Sequence, residues 1–129
     1  MISSVLALFG ASSRGQVEKA YYCTELTHLF EQLGEPPQDS QGLFFAIQSL
    51  LYGQPVIYFR VLEEGVSVDD YLFGLTMLRD PNWPLRDIRA LFLPGVGSKE
   101  ILEEGVKLCN DRHSLLLMSE TDFYDFLTN

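Results

Sequence analysis

A single three-layer α/β domain, with a central mixed sheet of about four or five strands flanked by helices, is the fold class this sequence predicts. Three observations predict it. From Val56 onward, apolar and β-branched runs alternate with capped helical stretches. A hydrophobic content of 47%, with nine Phe and six Tyr, supplies a core and excludes a disordered chain. No repeat, linker or low-complexity stretch divides residues 1–129, so one domain is expected over that whole span. A chain this long buries roughly two thirds of its unfolded surface and needs no metal or disulfide staple.

The elements follow in order. Met1 to Phe9 is apolar and fits either a short helix or a strand. It lacks a basic leading region and is too short to span a bilayer, so the expectation is a cytoplasmic protein without a membrane partner. Ser13 and Gln16 have capping-box spacing and predict a helix with Tyr22, Leu26, Leu29, Phe30 and Leu33 on its buried face. Gly34 ends that helix, and Pro36-Pro37 prevents its restart. The segment from Leu43 to Tyr52 is apolar enough for a strand, yet Leu43, Phe44, Ile47, Leu50 and Leu51 also fit one helical face. Periodicity leaves both open.

Gly53-Gln54-Pro55 is a turn, and Val56 to Val61 is the surest strand. Ser67 and Asp70 open a helix to about Leu78, followed by the loop Asp80 to Pro84. Ile88 to Leu93 reads as a buried strand, and Ser98 caps a helix to about Asn110. Leu115 to Met118 is a strand, and Ser119 with Asp122 starts a last short helix carrying Phe123, Phe126 and Leu127.

Charge restricts the partners. The formal charge is −9, with 18 acidic against 9 basic residues. Lys occurs only at Lys19, Lys99 and Lys107, so no basic stripe is available to neutralise phosphates. Nucleic acid and anionic membrane surfaces are therefore poor partners. Cys23 and Cys109 lie far apart, each in a helical pattern and without a metal-ligand neighbour, which points to two reduced, partly buried thiols. Neither a metal nor another cofactor is expected. The aromatic surplus suggests a protein partner or a homodimer, with Trp83 or the Phe123–Phe126 helix near the contact.

The chemistry-bearing motifs are weak. Gly95-Val96-Gly97-Ser98-Lys99-Glu100 begins like a dinucleotide fingerprint, but Glu100 replaces the last glycine and would repel a phosphate. Gly10 to Gly15 is a better anion cradle. If Val5 to Phe9 is a strand leading into a helix, Ser12, Ser13 and Arg14 are placed to hold a phosphate, as in a flavodoxin-like or Rossmann-like parallel sheet binding a nucleotide or flavin. His28 and His113 stand isolated in sequence. Glu63-Glu64 and Glu103-Glu104 read as solvated faces.

From Gly15 onward the order of features resembles the restriction-endonuclease-like superfamily, especially its Mrr-type nucleases. Gly15-Gln16-Val17-Glu18 and Leu33-Gly34 resemble that family's first helix. Tyr58-Phe59-Arg60 stands where its Glu/Gln-x-Lys triplet ends a hairpin strand. Val66-Ser67-Val68-Asp69-Asp70 and Gly97-Ser98-Lys99-Glu100 resemble its two following helix starts, and residues 115–118 and 122–127 its closing strand and helix. The resemblance implies a hairpin, with residues 43–52 as its first strand, and a metal site. That site would be degenerate, with Glu18, Asp39 and Arg60 as its remnants. Tyr58 supplies no carboxylate for a hard divalent ion, and Arg60 cannot exchange a proton near neutral pH. The implied function is a non-catalytic interaction or regulatory protein on a nuclease-like scaffold. The alternatives are a small flavodoxin-like nucleotide or flavin binder and a residual metal-dependent nuclease using Glu18 and Asp39.

Overall fold

The computed structural model describes residues 4–83, 87–119, 122, 127 and 128. Its elements are β1 (Val5–Gly10), β2 (Ala20–Cys23), α1 (Leu26–Leu33), α2 (Gly42–Leu51), β3 (Val56–Arg60), α3 (Val68–Arg79), β4 (Ile88–Phe92), α4 (Lys99–Arg112) and β5 (Leu115–Leu117). The strands form a five-stranded sheet in the order β2-β3-β1-β4-β5. β3, β1, β4 and β5 run parallel, and β2 pairs antiparallel with β3 at one edge. The expected mixed sheet flanked by helices is therefore present.

Side-chain alternation distributes the core over both faces. Val5, Ala7 and Phe9 of β1, with Ile57 and Phe59 of β3, pack towards α3 and α4. Leu8 of β1, with Val56 and Tyr58 of β3, packs towards α1 and α2. The register between β1 and β4 shifts after Val5, so Ile88 and Leu91 face α4 while Phe92 faces α2. Phe9 lies at the centre, stacked on Phe59 at 4.7 Å between ring centroids and on Tyr71 at 5.6 Å. Cys23 and Cys109 are buried free thiols, and burial pushes both up to about 11.

One expectation needs correction and one open choice is decided. The helix expected from Ser13 begins only at Leu26, because residues 20–23 form β2 instead. Tyr21 and Cys23 point inward there and Tyr22 outward, a period of two that pairing with β3 rewards. The Ser13 hydroxyl serves the far end of α1, accepting from the Glu35 N–H at 2.8 Å. On α1 only Leu29 and Leu33 are buried, while Leu26 and Phe30 are exposed. The ambiguous segment 43–52 is the helix α2, followed by a strand parallel to β1. The nuclease-like resemblance required a strand there, and the flavodoxin-like alternative required this helix. Trp83, expected near a contact, is half-buried and packs against the core cluster on the α3–α4 face. Phe123 and Phe126 lie outside the described residues.

Gly74 brings α3 against the aromatic side chains of the sheet. A Cβ there would run into the Phe9 ring and lie 3.0 Å from Phe59 Cδ1. Gly74→Ala should therefore destabilise the protein by about 1–3 kcal/mol through overpacking, outweighing the helix-propensity gain of about 1 kcal/mol. Urea unfolding with an unchanged m-value checks this; a neutral or stabilised variant would show that Phe9 is not clamped.

Candidate functional site

In an open sheet wound in both directions, ligands bind beyond the carboxyl ends of the strands where the winding reverses. Here that place lies between β1 and β4, because the chain leaves β1 for β3 on one side and reaches β4 on the other. The loops after β1, β3 and β4 converge there.

Their convergence is dictated by glycine. A Cβ on Gly10 would lie 2.8 Å from the Gly42 Cα, and one on Gly42 would lie 2.8 Å from the Phe9 carbonyl oxygen. The end of β1 and the start of α2 are thus in backbone contact. Gly65 and Gly95 make a second close approach, a Cβ on Gly65 meeting the Gly95 carbonyl. Both adopt positive φ, 83° and 80°, which few side chains tolerate.

The polar groups gathered there are already satisfied within the chain. Glu64 Oε1 accepts from the backbone N–H of Ala11 at 3.0 Å and of Gly42 at 3.1 Å, and Oε2 accepts from that of Gln41 at 2.6 Å. α2 has no capping side chain and no acidic residue in its first turn, so Glu64 supplies both from across the sheet end. Beneath it, the fully buried Tyr58 donates its hydroxyl to the Ala11 carbonyl at 2.9 Å. Burial and then the Glu64 charge hold that hydroxyl well above its usual range. Tyr71 accepts from the Gly65 N–H at 2.6 Å. On the β4 side, the buried Asp122 accepts from the Gly95 N–H at 2.8 Å. Two carboxylates of the chain therefore occupy the positions that a bound anion would take.

The expected phosphate cradle is differently placed. The Gly10 to Gly15 loop runs to β2, not into a helix. Ser12 is buried and donates to the Arg14 carbonyl at 2.7 Å. The N–H groups of Ser13 and Arg14 are bonded to the carbonyls of Glu35 and Leu33, and the Arg14 guanidinium lies 5.1 Å from the Phe30 ring centroid. No free row of N–H groups faces solvent there among the described residues.

The nuclease-like remnants do not assemble either. Val17 bridges to Arg60, so Glu18 lies next to β3 in the backbone, at a positive φ of 57°. Arg60 donates to the Gly15 carbonyl through Nη1. Glu18 lines an open depression of about 860 Å³ along α3 with Asp69, Arg79 and Asp111, which neither Asp39 nor Arg60 lines. Asp39 is exposed in the turn before α2. Among the described residues, no group of three His, Cys, Asp or Glu is placed to hold a metal ion.

Glu64 escaped the sequence reading, which took Glu63-Glu64 for a solvated pair. The available signal was an acid just beyond the surest strand, where an open α/β sheet presents its ligands, opposite a strand that ends in Gly10.

Glu64→Ala should cost about 1–3 kcal/mol, chiefly from leaving the buried Gly42 N–H without its charged acceptor. It should also create an anion site, because the N–H groups of Ala11, Gln41 and Gly42 would then face an empty cavity. Thermal unfolding in sulfate and chloride at equal ionic strength checks this: sulfate should raise the melting temperature of the variant more than that of the wild type. Equal responses would mean that the three donors do not converge. Comparison of the chain with family models, curated proteins and solved structures found no match.

Proposed function

We propose that this chain is a non-catalytic protein-interaction module, built on a doubly wound α/β domain whose ligand crevice its own carboxylates close. The observation that carries this reading is Glu64, whose carboxylate takes the three N–H groups that a phosphate would otherwise claim. Asp122 does the same at Gly95. A net charge of −9 further repels anionic ligands. What the surface offers instead is apolar: Tyr52 is 90% exposed, Leu115 68% and Leu51 66%. No helix among the described residues is long and apolar enough to cross a membrane. The reading stands without the nuclease-like resemblance, whose required strand over residues 43–52 is the helix α2.

A second reading is a small flavodoxin-like nucleotide or flavin binder. It is favoured by α2 and by the parallel order β3-β1-β4-β5, which matches that topology. It requires Glu64 to withdraw before a phosphate enters. Thermal shift separates the two. A ligand at 100 times its dissociation constant adds about 2.7 kcal/mol of stability. FMN, NAD(P)H and common nucleotides should leave the melting temperature of the wild type unchanged. A rise with any of them would replace the interaction reading with the binding one.

A further inference from the structure

The depression along α3 combines an apolar floor with a charged rim. Leu72 and Met77 are half-buried on its floor, and Phe73 beside them is 37% exposed. Four exposed carboxylates surround them: Glu18 from the approach to β2, Asp69 in the first turn of α3, Asp80 just past its end, and Asp111 near the end of α4. From this arrangement we infer that the partner is a basic segment, with lysine or arginine side chains flanking a bulky apolar one. The inference rests on the interaction reading above and names the chemistry of its partner.

The chain's own cations leave most of the rim unanswered. Among the described residues, Arg79 is the one cation lining the depression, and it is shared between Asp111, at 3.1 Å, and Glu104, at 4.0 Å. Arg112 directs its guanidinium at the carbonyls of Leu78 and Asp80. Lys19, next to Glu18 in sequence, lies over the Tyr21 ring, 5.0 Å from its centroid. Glu18, Asp69 and Asp80 form no ion pair among the described residues.

That charge selects the occupant. A neutral apolar partner covering Phe73 would strip water from these carboxylates and return nothing to them. An acidic partner, or a second copy of this chain at −9, would add repulsion. Cations set around an apolar side chain offset the desolvation of the rim while that side chain covers Phe73 and Met77. The depression holds about 860 Å³, room for several side chains of one segment. The net charge of −9 also draws such a partner in from a distance.

Fluorescence anisotropy at physiological salt tests this with three short labelled peptides: leucines between lysines, the same with glutamate for lysine, and the same with serine for leucine. The lysine–leucine peptide should bind the wild type about tenfold more tightly than either control. Glu18→Lys should weaken that binding about tenfold. Glu103→Lys makes the same change in net charge at an exposed position of α4 outside the depression, and should weaken it far less. The amide shifts that move on binding should centre on Leu72, Phe73 and Met77, which locates the site even if Glu18→Lys fails to fold. No binding of the lysine–leucine peptide, a control peptide that binds as tightly, equal losses in the two variants, or shifts centred elsewhere would overturn the inference. The underlying reading fails separately, through a nucleotide or flavin that raises the melting temperature.

Discussion

Three backbone N–H groups point into one small volume at the carboxyl end of β1, and something must accept their hydrogen bonds. Glycine at positions 10 and 42 brings the end of β1 against the start of α2, which leaves Ala11, Gln41 and Gly42 facing the same point. A buried donor without an acceptor costs about 1–3 kcal/mol, which applies to the buried Gly42 N–H, and Glu64 arrives from the β3–α3 loop to accept it together with the more exposed N–H groups of Ala11 and Gln41. That loop is itself braced. Ser67 accepts from the Glu63 N–H at 2.7 Å, Asp70 from the Leu62 N–H at 2.9 Å, and Tyr71 from the Gly65 N–H at 2.6 Å. The position of one carboxylate is thus fixed by the helix that follows it, and in turn it fixes the entry into α2.

The proposed function rests on the same arrangement. A doubly wound sheet ordinarily leaves its helix N-termini open for phosphates. Here Glu64 and Asp122 fill the two sides of the crevice, and Tyr58 fills the space beneath. An anion entering that place would have to displace Glu64 from its three donors. The exposed apolar surface lies elsewhere: α2 is hydrophobic nearly all round, and β5 exposes Leu115 and Leu117.

The second half of the fold was legible because its signals were local and mutually consistent. Val56 to Phe59 is β-branched and aromatic throughout, and Ser67 and Ser98 do stand at the N-caps of α3 and α4. Their hydroxyls make no cap bond, however; the spacing located the helix starts without the mechanism it suggested. The first half was less legible because tertiary pairing overrode local pattern. Tyr21 to Cys23 continues the helical spacing of Leu26 to Leu33 well enough to hide a strand, and only the edge of β3 makes it one. Residues 43–52 were ambiguous because α2 is apolar on both its buried and exposed sides. The site was the least legible part. Glu18, Asp39, Ser12, Ser13 and Arg14 drew attention by spacing, whereas Glu64 acts through a convergence of three loops that no local spacing encodes.

Amide hydrogen exchange at Ala11, Gln41 and Gly42 tests most directly whether Glu64 closes the crevice. If the carboxylate holds all three, these amides exchange slowly in the wild-type protein at neutral pH, at rates like those of the strand amides of β1. Exchange as fast as that of an unstructured peptide would show that the three donors are open to solvent, and the crevice with them.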